Sequence, residues 1–193
     1  MISIYDRLDK IINRITDPAF LQNKGLGNEI GYYIFDYDPR DEILVREYIS
    51  FIKQKINNGN YGIEIQEFDL YEIMLDILEQ KGYLHKAFEL EEQKGSDYII
   101  NAIKKALRLT LKNDLIVDYI VERVKPNSVI FITGVGKVYP IIRSHTILNN
   151  LHGAVDHVPV VMFFPGSYDG LELSLFNEIK DDNYYRAFQL IEK

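Results

Sequence analysis

Carboxylates, glycine turns and a histidine-bearing helix are the parts of this chain whose types and spacing could do chemistry. Asp36 and Asp38, Glu67 and Asp69, Gly134 and Gly136, and the run from Pro165 to Asp169 all fall where strands are expected to end. In an open parallel sheet those ends form the ligand crevice. Such a crevice would take magnesium and a phosphate, with Gly134, Gly136, Arg143 and Asp169 as candidate ligand-contacting residues. Asp38 and Asp69 also stand where helix N-caps are expected, which explains an aspartate after a strand without any ligand. Hydrolysis with two carboxylates would need both in one pocket.

The turn Thr133-Gly-Val-Gly-Lys-Val-Tyr-Pro140 lies between a buried strand and a helix, where backbone N–H groups can cradle phosphate. It fits neither phosphate signature. A P-loop needs G-x-x-x-x-G-K-[ST], but Gly136-Lys137 is followed by Val138, and Phe131 holds the position of the first glycine. The Rossmann pattern fails as well, because Pro140 follows Tyr139 where its third glycine would be. A tight turn demanded by chain geometry accounts for the glycines.

The polar segment Ile142-Arg-Ser-His-Thr-Ile-Leu-Asn-Asn-Leu-His152 puts His145, Asn149 and His152 on one helical face, with Arg143 and Asn150 opposite. Zinc on the two histidines would need further ligands, and Asp156 and His157 do not complete any known spacing. A surface for a partner protein is the plainer reading. Asp181-Asp-Asn-Tyr-Tyr-Arg186 offers Asn183, Tyr184, Tyr185 and Arg186 for the same purpose, since Tyr and Arg dominate interface hot spots. The bland alternative has a tyrosine in the core and Arg186 paired within its own turn. No Ser-His-Asp order is recognisable, and Gly166-Ser167-Tyr168 lacks the nucleophile elbow.

The elements that must position these groups alternate between strand and helix. Helices are expected over about Ser3–Ile15, from Asp17-Pro18, and from Asp38-Pro39 to about Lys55. Strands are expected at Tyr32–Asp36, Ile63–Phe68, Ser128–Thr133 and Val158–Phe164, the last ended by Pro165-Gly166. Asp69-x-x-Glu72 is a capping-box pattern. Only helical signals follow, near 69–81, 83–93, 96–109 and 113–124, and Pro140 is expected to start the next helix. Residues 171–176 and 184–191 read equally as a hairpin or as a strand and a helix. The fold class is therefore α/β, a mostly parallel sheet flanked by helices. The 193 residues form one domain, with 69–125 a helical insertion.

Composition narrows the function. With 29 acidic against 22 basic residues the net charge is −7, which opposes nucleic acid at long range. The basic run Lys104-Lys105-Ala-Leu-Arg108 with Lys112 reads as the wet face of a helix. Zero cysteines exclude disulfides and thiolate sites. No apolar run approaches the roughly 18 residues of a membrane span, and the first residues lack a signal-peptide pattern, so a cytoplasmic location is expected.

Taken in order, Gly25-Leu-Gly-Asn-Glu-Ile30 with Tyr33-Ile-Phe-Asp-Tyr37, Thr133-Gly-Val-Gly136 with Tyr139-Pro140, Arg143-Ser-His-Thr146, Leu148-Asn-Asn-Leu-His152, Phe164-Pro-Gly166, Tyr168-Asp-Gly170 and Asp182-Asn-Tyr-Tyr-Arg-Ala-Phe188 resemble the BrxB family of bacteriophage-exclusion (BREX) systems. The resemblance spans nearly the whole chain and is most specific from Phe131 to Phe188. It implies a small component of a phage-defence operon that also encodes an ATPase, a DNA methyltransferase and an alkaline-phosphatase-like protein. It carries no catalytic residues with it. Lys137 stands where a small residue is expected in similar proteins, so it is not read as an ATP-binding lysine. The expectation is a non-enzymatic component acting through protein contacts, without a cofactor. The alternative is a metal- or nucleotide-dependent enzyme working on DNA or nucleotides in the strand-end crevice.

Overall fold

The computed structural model describes residues 2–22, 31–109, 111, 113–181 and 187–193. Its frame is five parallel strands, β1 (Tyr32–Tyr37), β2 (Glu64–Asp69), β3 (Ser128–Thr133), β4 (Val160–Tyr168) and β7 (Phe188–Gln189), in the order β2-β3-β4-β1-β7. A hairpin of β5 (Leu173–Leu175) and β6 (Ile179–Asp181) adds antiparallel to the far end of β4. The expected α/β class, a mostly parallel sheet flanked by helices, is what the chain adopts.

Strand composition follows from position. All six residues of β1 and of β3 are buried, because helices cover both faces of the central strands. The edge strand β2 is only partly buried, with Ile65 in the core of one face and Phe68 in that of the other. On one face α1 (Ile4–Ile15), α2 (Pro18–Leu21) and α3 (Glu42–Asn57) bury Leu8, Ile11, Phe20, Ile49 and Ile52 against Phe35, Phe131 and Phe163. The other face carries α4 (Leu70–Gln80), α5 (Leu84–Lys94), α6 (Ser96–Ala106), α7 (Leu115–Val121) and α8 (Ser144–His152) over Ile34, Ile132, Met162 and Phe164. The β1-to-β2 crossover moves three places along the sheet by way of α3. The next two crossovers return across the opposite face, and that pairing of direction with face keeps each of them right-handed.

Several helix starts are set by caps that the sequence announces. Ser3 and Asp6 form a complete capping box on α1. Asp17 caps α2, with Pro18 at its first position. Asp38-Pro39 opens a 3-10 turn, Pro39–Asp41, which runs on into α3. Asp69 accepts from the N–H groups of Tyr71 and Glu72 at 2.9 and 3.4 Å, while Glu72 turns toward Lys137, 3.9 Å away.

Three expectations need correction. Pro140 does not begin a helix. It follows a cis peptide bond inside a run of turns in which Val138 O accepts from the N–H groups of Ile141 and Ile142, and α8 starts only at Ser144. Pro165-Gly166 does not end β4, which continues to Tyr168. Proline is tolerated there because β3 has stopped pairing by Met162 and β5 begins only at Gly166, so no neighbour on that side needs its N–H. The helix read over 96–109 stops at Ala106, where Arg108 takes a φ of 58°.

Candidate functional site

At their C-terminal ends β1 and β3 leave toward opposite faces, with β4 between them. This is the switch point at which an open α/β sheet holds its ligand. Here the chain fills it. Beyond Met162 the place beside β4 passes from β3 to β5, with Gly166 opposite Leu175 and Tyr168 opposite Leu173. Gly166, at φ 156°, permits the approach, because a Cβ on it would lie 2.1 Å from the Ser174 carbonyl oxygen. Phe176 donates its N–H to Pro165 O at 2.8 Å and lays its ring where a Cβ on Gly136 would touch it at 3.0 Å. The cavity that remains, lined by Val135, Tyr139, Arg143, Ser144, Phe164 and Leu175 among others, measures ≈ 10 Å³. That is room for about one water, whereas small-molecule sites occupy roughly 300–1,000 Å³.

Of the four ligand candidates, Arg143 alone lines this cavity. Gly136 backs the Phe176 ring. Gly134, at φ 73°, lies so close to Asp69 that a Cβ would stand 2.3 Å from its Oδ1. Asp69 Oδ2 in turn pairs with Lys137 Nζ at 2.5 Å. The anion seated in this glycine turn is thus the chain's own carboxylate, and the lysine beside it is already neutralised. Asp169 lies exposed on the turn between β4 and β5, where the N–H groups of Leu171 and Glu172 donate to it at 2.8 and 2.7 Å. Those bonds, led by that of Glu172, hold its carboxyl below the usual range.

Asp36, the other strand-end carboxylate, is fully buried and tied down. It accepts from Arg7 Nη2 at 3.0 Å and from Tyr168 N–H at 2.8 Å, and pairs with Lys193 Nζ at 2.5 Å. Arg7 also donates to the carbonyl oxygens of Asp36 at 2.7 Å and Ile191 at 3.4 Å, and lies 4.7 Å over the Phe35 ring. This cluster joins α1, β1, β4 and the segment after β7. Nothing in the spacing of Arg7 pointed to it, and the residues concerned span 29 to 184 positions in sequence.

Along α8, His145 and His152 are half-buried and Asn149 is exposed. His152 stacks on Tyr32 at 4.8 Å, and the Tyr32 hydroxyl donates to Val155 O at 3.0 Å, which gives this histidine a packing role. Asn150 reaches the opposite way, donating to Asp114 Oδ2 at 2.8 Å. Asp114 caps α7 through the N–H groups of Ile116 and Val117 and is almost fully buried. An aspartate directly before Leu115-Ile-Val was the available signal.

Burial pushes the Asp114 carboxyl above its ordinary 3.8, outweighing the hydrogen bonds that lower it. An acid whose folded pKa is raised contributes stability that is fully present below pH 3.8 and lost as pH rises through the folded pKa. Asp114→Asn keeps a capping oxygen and cannot ionise. Its melting temperature minus that of the native chain is therefore expected to rise as pH increases above 3.8. Parallel melting curves across the acid range would show that Asp114 titrates alike folded and unfolded.

The proposed partner residues Asn183, Tyr184, Tyr185 and Arg186 lie outside the described residues. Among those described, no group of three or more His, Asp or Glu is placed to hold a metal ion, and no helix is long and apolar enough to cross a membrane. Sequence reasoning also passed over a cleft of ≈ 810 Å³ along the free edge of β2.

Fold and site together define a doubly wound α/β protein whose strand-end crevice is closed by its own hairpin. A family model described as BREX protein BrxB matches residues 66–190, from β2 through Leu190. A BREX protein BrxB from Bacillus cereus (strain H3081.97) is 66% identical over 193 residues, covering 100% of both chains. Another from Escherichia coli O9:H4 (strain HS) is 32% identical over 187 residues, 96% of this chain and 90% of that one. No solved structure matches. The chain belongs to the BrxB family of BREX proteins.

Proposed function

We propose that this protein is a non-enzymatic component of a BREX phage-defence assembly, working in the cytoplasm through contacts with the system's ATPase, methyltransferase and alkaline-phosphatase-like proteins. The observation that carries the reading is the filled crevice. Where a doubly wound fold would bind nucleotide or metal, β5 and Phe176 leave ≈ 10 Å³. The glycine turn beside it holds Asp69 and Lys137 in an ion pair. The rival reading, metal- or nucleotide-dependent chemistry on DNA or nucleotides, has to be run without that crevice. Contact surfaces are supplied by the outer side of α8 with His145 and Asn149, by Asn183–Arg186, and by exposed Phe88, Tyr98, Ile43 and Phe51.

The test is co-expression of the tagged chain with the other proteins of its BREX system, followed by affinity capture. The native chain is expected to retain at least one of them. Among Tyr184→Ala, Tyr185→Ala and Arg186→Ala, at least one is expected to lose that partner about thirtyfold in affinity, the effect of a hot spot worth 2 kcal/mol, while keeping its melting temperature. A native chain that captures none of them overturns the assembly reading. Capture unchanged in all three folded variants moves the surface away from this cluster.

A further inference from the structure

Helix α3 has two sides of opposite character. Toward the sheet, Val45, Ile49, Ile52 and Ile56 are buried. On the outside, Ile43, Glu47, Phe51 and Lys55 follow one another at four-residue spacing and so form a single ridge. Ile43 is 72% exposed and Phe51 48%. The charges flanking the ridge are already matched, Arg46 with Glu42 at 2.7 Å and Lys53 with Glu67 at 2.6 Å. Tyr48 meets the Phe51 ring edge-on at 5.4 Å and donates its hydroxyl to Asp9 of α1. Within the ridge the charges are left over. Glu47 and Lys55 have no ion-pair partner among the described residues, and the Lys55 ammonium lies 5.5 Å from the centre of the Phe51 ring.

The order of these groups is its own complement. In a two-fold pair, residue i of one copy meets j of the other, and j meets i. Two α3 helices crossing antiparallel at Phe51 lay ring on ring and bring together residues at equal distances before and after it. Glu47, one step before, then faces Lys55 of the second copy, one step after. Ile43, two steps before, faces Gly59 of the second copy, where the Tyr61 ring lies so near that a Cβ on the glycine would stand 2.6 Å from its Cε2. Tyr61 is itself 38% exposed. Along the ridge, apolar groups therefore meet apolar groups and opposite charges meet twice, with no like charges opposed. A plain apolar strip would accept many partners, whereas this ordered one selects itself.

We propose that the outer ridge of α3 is a two-fold interface with a second copy of this chain, centred on Phe51 and closed by Glu47–Lys55 pairs. The contact is small, and a net charge of −7 on each copy opposes approach at long range, so a Kd of roughly 1–100 μM is expected. The inference goes beyond the assembly reading and does not rest on it, since it concerns copies of this chain alone.

Sedimentation velocity of the full chain is expected to show a monomer passing to a dimer across the micromolar range. Glu47→Lys and Lys55→Glu each set like charges opposite one another and should weaken the dimer at least about tenfold at unchanged melting temperature. An equimolar mixture of the two variants has opposite charges at both contacts of a mixed pair, and should dimerise again. So should a chain carrying both changes. Because the chain has no cysteine, Phe51→Cys places a single thiol on the two-fold axis and should form an intermolecular disulfide on oxidation, while Tyr98→Cys on α6 should not. A chain that stays monomeric across that range, a dimer indifferent to both charge reversals, or a mixture no more associated than its components overturns the proposal. A monomer that captures a BREX protein and loses it in Glu47→Lys assigns the ridge to that protein and overturns the proposal as well. Should a charge reversal unfold the chain, the difference between the two cysteine variants decides.

Discussion

Asp36→Ala is expected to destabilise the protein by about 3–5 kcal/mol, because it leaves the Arg7 guanidinium buried with its counter-charge removed. Arg7 would keep only the carbonyl oxygens of Asp36 and Ile191 and the face of Phe35. Among the described residues its Nε has no hydrogen-bond partner, and none of them offers a spare acceptor. Lys193 is half-exposed, can return to water, and adds little to the loss. In a chain of this length each kcal/mol lowers Tm by about 2–4 °C, so a fall of about 6–20 °C should be seen. Replacing both members, Arg7→Met with Asp36→Leu, should cost less than the two single changes summed, since neither charge is stranded. A urea-denaturation cycle measures this. Additive losses, or an Asp36→Ala protein melting with the native chain, would mean that the pair is solvated rather than sealed.

Gly166→Ala is the second large effect. A methyl group there would meet the Ser174 carbonyl oxygen at 2.1 Å, and that oxygen belongs to backbone rather than to a side chain that can swing away. Relief requires β5 to leave β4, taking Phe176 off Gly136 and opening the crevice. Overpacking of this kind costs about 3 kcal/mol. Limited proteolysis should then cut within 169–181 in the variant while the native chain resists. Gly153→Ala is the control. No atom lies within 4 Å of its added Cβ and its φ is −88°, so stability should hold or rise by about 0.4–1 kcal/mol through the unfolded chain. A Gly166→Ala protein as stable and as protease-resistant as Gly153→Ala would show that the hairpin has slack.

Much of the frame was legible because local physics dictates it. Val129–Ile132 is an unbroken apolar run and lies in a strand covered on both faces; Asp17-Pro18 reads as cap and first turn and is one. The reading failed where distant partners decide. Pro165 looks like a strand terminator, yet it sits in the short gap between two ladders, which only the sheet order reveals. The last segment resisted periodicity because the hairpin falls at 173–181 and β7 is two residues long, too short to have a period.

The site was half legible for the same reason. That Thr133–Lys137 departs from phosphate-binding patterns is visible in the residues themselves. That Asp69 occupies the turn and takes Lys137 is not, since 68 positions separate them. Asp36 was assigned to an open crevice because a carboxylate at a strand end usually faces one; Arg7, 29 positions earlier, was the missing term. The half-exposure expected of β2 is there, but without the alternation, since Ile65 and Phe68 are buried on opposite faces; an edge is a property of neighbours, and a sequence does not name them.

The sheet order also sets a schedule for synthesis. β4 lies between β3 and β1, so residues 32–37 and 128–133 share no ladder until 160–168 have been made. The helices of the two faces can each collapse on their own strands before that, but as two separate halves. At about 5–20 residues per second, the 35 residues from Thr133 to Tyr168 take roughly 2–7 s to translate. For that interval every new copy carries β1 with neither edge paired and β3 with one edge open, and its exposure to chaperones and to misassociation is greatest then.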